Sequence, residues 1–81
     1  MDFDNKAIGR TIKKLRKEKK LSQEVLSGFA DIARSHLAMI ESGSKQPNFE
    51  TIWKIASAFG ILPHQLVEMI EDEISAADAN D

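Results

Sequence analysis

The chain has 81 residues, no cysteine and a formal net charge of −2. That length holds one small domain, which buries only about 60% of its unfolded surface, and the lack of cysteine excludes disulfides and thiolate zinc sites. No signal-peptide-like apolar run opens the chain and no run of about 18 apolar residues interrupts it, so a soluble, cytoplasmic protein without a membrane partner is expected.

The charge is divided along the chain. Residues 1–60 hold all 11 Lys and Arg against 7 Asp and Glu, a surplus of four positive charges, whereas residues 61–81 hold 6 acids and no base. A basic part that faces a polyanion and an acidic end held away from it would have this distribution.

Met1 to Asn5 is expected to fray, with Asp4 or Asn5 capping a first helix whose apolar face is Ile8, Ile12 and Leu15. Lys13, Lys14, Lys17, Lys19 and Lys20 around that face read as a solvated basic helix end, while Arg16 lies at the edge of the stripe. A second helix runs from a Ser22 cap to about Ala30, with Glu24 in its positive first turn and Leu26 and Ala30 facing the core. Val25 and Phe29 sit side by side at i, i+4 spacing and are expected to pack against the first or fifth helix, with partner binding as the alternative. Asp31 follows, one of the few residues that tolerates a left-handed backbone, and so suits a turn between two helices.

On a helical wheel with Arg34 at zero, Ala38, Ser42, Ser35 and Met39 fall at roughly 40°, 80°, 100° and 140°. Ala33, Leu37 and Ile40 gather near about 270° and would face the core. Apart from Arg34, the outer face carries no long charged side chain, so this third helix could approach another surface closely.

Gly43 suits the left-handed position beyond that helix, and Ser44, Lys45 and Gln46 form a polar loop before Pro47. Asn48 is placed to cap a fourth helix with Phe49, Ile52, Ile55, Ala56 and Phe59 as its buried stripe and Gly60 as its end. Trp53, at the edge of the stripe, is expected to be partly buried packing. Pro63 opens a fifth helix expected to reach about Glu73. Leu66, Met69 and Ile70 suffice for the core, and Val67 and Ile74 widen the apolar arc to roughly 160°. The excess predicts a dimer interface of Val67, Met69, Ile70 and Ile74. Residues 1–74 would form the domain, and residues 75–81 an acidic, disordered tail.

His36 and His64 have no metal-ligand spacing, and the carboxylates do not converge, so neither an enzyme nor a metal or other cofactor is expected.

The stretch LSQEVL, the turn at Asp31, and IESG followed by QP resemble the Cro/C1-type (XRE-like) helix-turn-helix family of phage repressors and small bacterial transcriptional regulators, from Ile8 to Leu66. Gln23, Glu41-x-Gly43 and Pro47 all fall in family register. The resemblance implies an all-α, compact five-helix lambda-repressor-like domain that acts as a homodimer on a palindromic operator, with RNA polymerase a further partner where it activates. It implies a third helix in the major groove, with Arg34, Ser35, Ala38 and Met39 facing base edges and Gln23, His36, Ser44 and Lys45 on the DNA backbone. It also implies an ion pair of Arg16 with Glu41. The alternative is a protein-interaction module on the same fold, such as an antitoxin or a restriction-modification controller. Ala33 departs from the family, which has Ser or Thr there as a helix cap, so the cap falls to Asp31 or is absent at a cost of about 1 kcal/mol.

Overall fold

Five helices follow one another among residues 1–79, the part of the chain described by the computed structural model: α1 (Ala7–Glu18), α2 (Gln23–Ala30), α3 (Arg34–Ser42), α4 (Phe49–Ala58) and α5 (Pro63–Ala79). α1, α2, α3 and α4 each end with a left-handed residue: Lys20, Asp31, Gly43 and Gly60, at φ of 59°, 55°, 82° and 74°. In each case two backbone N–H groups turn back onto the last turn; Leu21 N–H donates to Arg16 O and Lys20 N–H to Lys17 O at the end of α1. The stop at Lys20 has no signature in the sequence, because a non-glycine residue held there costs roughly 1–2 kcal/mol that only the surrounding packing can offset.

The N-terminal ends are less uniform. Ser22 Oγ accepts from Val25 N–H at 3.1 Å, and Asn48 Oδ1 from Thr51 N–H at 2.8 Å. Leu62 N–H donates to the Gln65 side chain at 2.8 Å ahead of Pro63. Ala33 has the extended backbone of a cap but no side chain to act as one, and Asp31 does not substitute for it. The expected fraying before α1 is corrected at Asp4: its Oδ1 accepts from Lys6 N–H at 2.9 Å, and its Oδ2 pairs with Arg10 at 2.7 Å. That bond to Arg10 holds the Asp4 carboxyl below the usual carboxylate range. The tie is therefore present at neutral pH and is lost only on acidification through that lowered value.

The core lies where the five helices meet, with Ile12, Leu26, Leu37, Ile40, Ile55 and Leu66 its largest fully buried side chains. α1 crosses α3 closely because Gly9 has no side chain; a Cβ there would overlap the carbonyl oxygens of Ile40 and Glu41, the latter at 2.7 Å. Next to this crossing the Arg16 guanidinium grips Glu41 with two parallel bonds, Nε to Oε2 at 2.7 Å and Nη2 to Oε1 at 2.9 Å, while Nη1 donates to Leu21 O at 2.8 Å. Both residues are buried.

Four expectations about packing are corrected. Phe49, expected in the buried stripe, is mostly exposed, because α4 turns it toward the outer edge of α5; Trp53, expected as partly buried packing, is 55% exposed and tilted against it with ring centroids 6.2 Å apart. Val25 and Phe29 pack against neither α1 nor α5; Leu26 and Ala30 take the buried side of α2 and leave the pair facing solvent. Ile70 and Ile74 are buried in the protomer's own core, since α5 lies against both α1 and α4 and needs the wider apolar arc. Finally, α5 does not stop near Glu73. Ser75 to Ala79 continue it, as suits a run with three alanines, and Asn80 and Asp81 of the expected tail lie outside the described residues. No described helix is long and apolar enough to cross a membrane.

Two stability measurements test this account. Arg16→Ala or Glu41→Ala alone should cost roughly 3 kcal/mol by leaving a buried charge unpaired, and the double variant clearly less than the sum; additive losses in denaturant titrations would show that the pair is not coupled. Ala33→Ser, at a position that already has cap geometry, should add about 1 kcal/mol, and an unchanged midpoint would show that the first turn of α3 has no unmet need.

Candidate nucleic-acid interface

The turn at Asp31 sets α3 across the end of α2, with Ile32 N–H bonded to Ser27 O at 3.0 Å and Ile32 packed against the core. Leu37 and Ile40 anchor the inner side of α3 in that core. The outer side then presents Arg34, Ser35, Met39 and Ser42 to solvent, with Ala38 half-buried among them. These side chains share one face with no bulky neighbour, as the wheel placed them. His36 is half-buried on the flank toward the core stripe and does not point with them.

Glu41 shares the helix with Arg34 but stands seven residues, about two turns, further on and is buried. Both its oxygens are occupied by Arg16, and Oε1 also accepts from Gln23 Nε2 at 3.1 Å. Among the described residues no carboxylate lies within ion-pair reach of Arg34. Its guanidinium is therefore free at the start of the helix, with five donors in a planar fork.

Gln23 is held to the same carboxylate, which leaves the second amide N–H and the carbonyl oxygen of its side chain to meet a ligand. Ser44 and Lys45 lie in the loop after Gly43. Their backbone N–H groups donate to Met39 O at 3.1 and 3.2 Å, and the Ser44 hydroxyl bonds to Met39 O and the Ser42 hydroxyl, so Ser44 mainly closes the end of α3. The Lys45 side chain stands free in solvent.

Sequence reasoning missed Lys6. Its exposed side chain runs beside Gly43, where a Cβ would lie 3.1 Å from Lys6 Cγ. The Gln46 side-chain amide binds the carbonyl of Asn5 and joins this end of α1 to the loop after α3. Lys6 and Lys45 thus share one rim of the α3 face. Thirty-nine residues separate them in the chain, and only the fold brings them together; no local pattern could have signalled it.

Comparison with known proteins places this geometry. Residues 12–66 match the HTH_3 helix-turn-helix family. The immunity repressor of Bacillus phage phi105 is 43% identical over 54 residues, 67% of this chain and 38% of the repressor. The control protein C.MunI from a Mycoplasma species is 38% identical over 67 residues, 82% of this chain and 90% of that protein. The chain spans less than half the length of the phage repressor and of a second regulator that it matches. Among solved structures, the restriction-modification controller C.Esp1396I bound to a 25 base pair operator site superposes with a TM-score of 0.80 at 26% identity, over 91% of this chain and 97% of that one. Residues that form the bare face of α3 and the pair beneath it lie inside the matched span, and the chain belongs to the HTH_3 helix-turn-helix family.

Proposed function

We propose that this chain is a sequence-specific DNA-binding transcriptional regulator that works in the cytoplasm as a homodimer on a palindromic operator. The observation that carries the reading is the outer face of α3: short side chains around one unpaired arginine, on a helix pinned to its core by Leu37, Ile40 and Glu41. A helix of this kind fits the major groove, which is about 12 Å wide. Relatives described as an immunity repressor and a control protein, and a fold neighbour bound to an operator, support it. Arg34, Ser35, Ala38 and Met39 would meet base edges, and Gln23, His36, Ser44, Lys45 and Lys6 the sugar-phosphate backbone. The chemistry is that of binding, not of catalysis.

The exposed apolar surface favours self-association, though not through the four residues expected. Of those, Ile70 and Ile74 serve the protomer core, and Met69 lies toward α1. Val67 remains, next to Phe49, Trp53 and Leu62 on the outer side of α4 and α5. Pairing of two such faces would set the recognition helices about 34 Å apart, one turn of DNA. Phe49→Glu with Val67→Glu should give monomers in sedimentation at micromolar concentration, and an unchanged mass would move the interface elsewhere.

A second reading has an observation of its own. Val25 and Phe29 form an exposed apolar pair on α2, immediately before the recognition helix. A protein partner, RNA polymerase included where the regulator activates, would find its contact there, and retention of a purified partner in the absence of DNA would support that role.

Arg34 is the residue on which sequence reading turns, since it alone on the face can donate two hydrogen bonds to guanine O6 and N7. Arg34→Ala should weaken the best operator by about 1–3 kcal/mol per half-site and relax preference at one base pair, with non-specific binding less affected. A phosphate role would instead weaken all sequences alike and lower the salt slope by about 1 per subunit. Titrations of operator, single-base variants and random DNA at several salt concentrations separate the two, and a uniform loss would exclude base reading.

A further inference from the structure

Five of the eight large apolar side chains that the fold leaves exposed lie on one side of it: Met1, Phe3, Phe49, Trp53 and Leu62. They line two adjoining troughs that share Phe49, Val67 and Glu71 and so form one surface. The floor of the first trough is Ile8, Ile52, Ile70 and Ile74, and its outer wall is the N-terminal segment.

Phe3 is 66% exposed, so its own chain covers only a third of it. The residue after it is fastened on several sides. Asp4 Oδ2 takes Arg10 Nη2 at 2.7 Å, Asp4 Oδ1 takes Lys6 N–H at 2.9 Å, and Asp4 O takes Ala7 N–H at 3.1 Å. Arg10 in turn reaches α5 through Glu73 at 3.2 Å, so one guanidinium ties the segment to two helices. A phenyl ring is thereby presented to solvent on an anchored backbone.

We propose that Met1–Phe3 is a dimerisation arm, with Phe3 packing against the apolar face of a second copy of this chain. The inference rests on the self-association reading above and extends it to residues outside α4 and α5. Charge narrows the occupant: the two troughs are lined by Asp2, Glu71 and His64 but by no Lys or Arg, so phosphate is repelled and a mostly apolar surface is what can cover them. Area points the same way. At about 200 Å² per aromatic side chain, the exposed parts of Phe3, Phe49 and Trp53 come to roughly 370 Å², nearly half of the 800 Å² each partner gives to a stable interface. Phe3 supplies about a third of that aromatic area, and Met1, Leu62 and Val67 add to it around the rings. The bridge to Arg10 matters because a segment already fixed loses little further freedom on binding.

The test is the dimer dissociation constant, from sedimentation equilibrium over a dilution series of the full chain. Phe3→Ser should raise it about tenfold or more, Phe3→Leu much less, and Asp4→Asn a few-fold by freeing the segment. In the Phe3→Ser background Asp4→Asn should add nothing to the dissociation constant, because an arm without its anchor gains nothing from being held. Thermal midpoints, read at a concentration where each variant is monomeric, identify any loss that comes from α1 itself. A dissociation constant that Phe3→Ser leaves unchanged overturns the proposal, and one that it lowers shows the segment to be a cover over the trough and overturns it equally. If those results come with Phe49→Glu and Val67→Glu still abolishing the dimer, the arm fails and the self-association reading stands; if the wild-type chain is monomeric throughout, both fail.

Discussion

The bond between Arg16 and Glu41 is the contact on which the geometry of this domain depends. It is two-pronged, buried, and runs from α1 to the last turn of α3, so it fixes both the distance and the rotation of α3 relative to the first helix. Rotation is the sensitive variable. At about 100° per residue, a turn of α3 by a fraction of that angle would exchange Leu37 or Ile40 for part of the outer face. Gly9 supplies the complementary constraint, since only a glycine lets α1 approach the carbonyls of Ile40 and Glu41 so closely. One contact pulls the helices together and the other sets how near they come. Gln23 adds a third helix to the arrangement, and the same carboxylate oxygen takes part in both bonds.

A buried ion pair is weak grounds for stability, because desolvation opposes the attraction. Its value here is better sought in selection of one arrangement. By taking both Glu41 oxygens, Arg16 holds that carboxylate on the inner side of α3, away from the outer face where Arg34 stands without an ion-pair partner among the described residues.

Most of the backbone was legible from sequence because its signals are local. Ser22 and Asn48 cap the helices they precede, Asp31 and Gly43 stop the helices they follow, and the apolar spacing of Leu37 and Ile40 gave the inner side of α3. What was not legible depends on which neighbour a stripe meets. Phe49 and Ile52 read alike on a wheel, yet Ile52 is buried and Phe49 is not, since α5 covers one flank of α4 and leaves the other. Ile70 and Ile74 looked surplus because the wheel counts one core-facing side, whereas α5 has two partners, α1 and α4. The rim formed by Lys6 and Lys45 was hidden for the plainest reason, since contacts across the chain have no period. The α3 face was readable as a set, while the pairing of Arg16 with Glu41 beneath it came from family resemblance and not from spacing.

The two exposed faces of the molecule follow from opposite choices about what to leave uncovered. On α3 the outward residues are small and, Arg34 aside, uncharged, which suits close approach to a wall whose own charge must be met from the rim by lysines. On the α4–α5 side the outward residues are large and apolar and the carboxylates lining the two troughs have no Lys or Arg beside them there, which suits a dry surface that turns phosphate away. The acidic character of α5 continues along Glu68, Glu71, Asp72 and Asp78, and its extension to Ala79 carries that charge further along the helix than a stop at Glu73 would have done. A chain with net charge −2 can therefore present a basic rim to a polyanion, because its negative charge is concentrated on the helix that borders the other face.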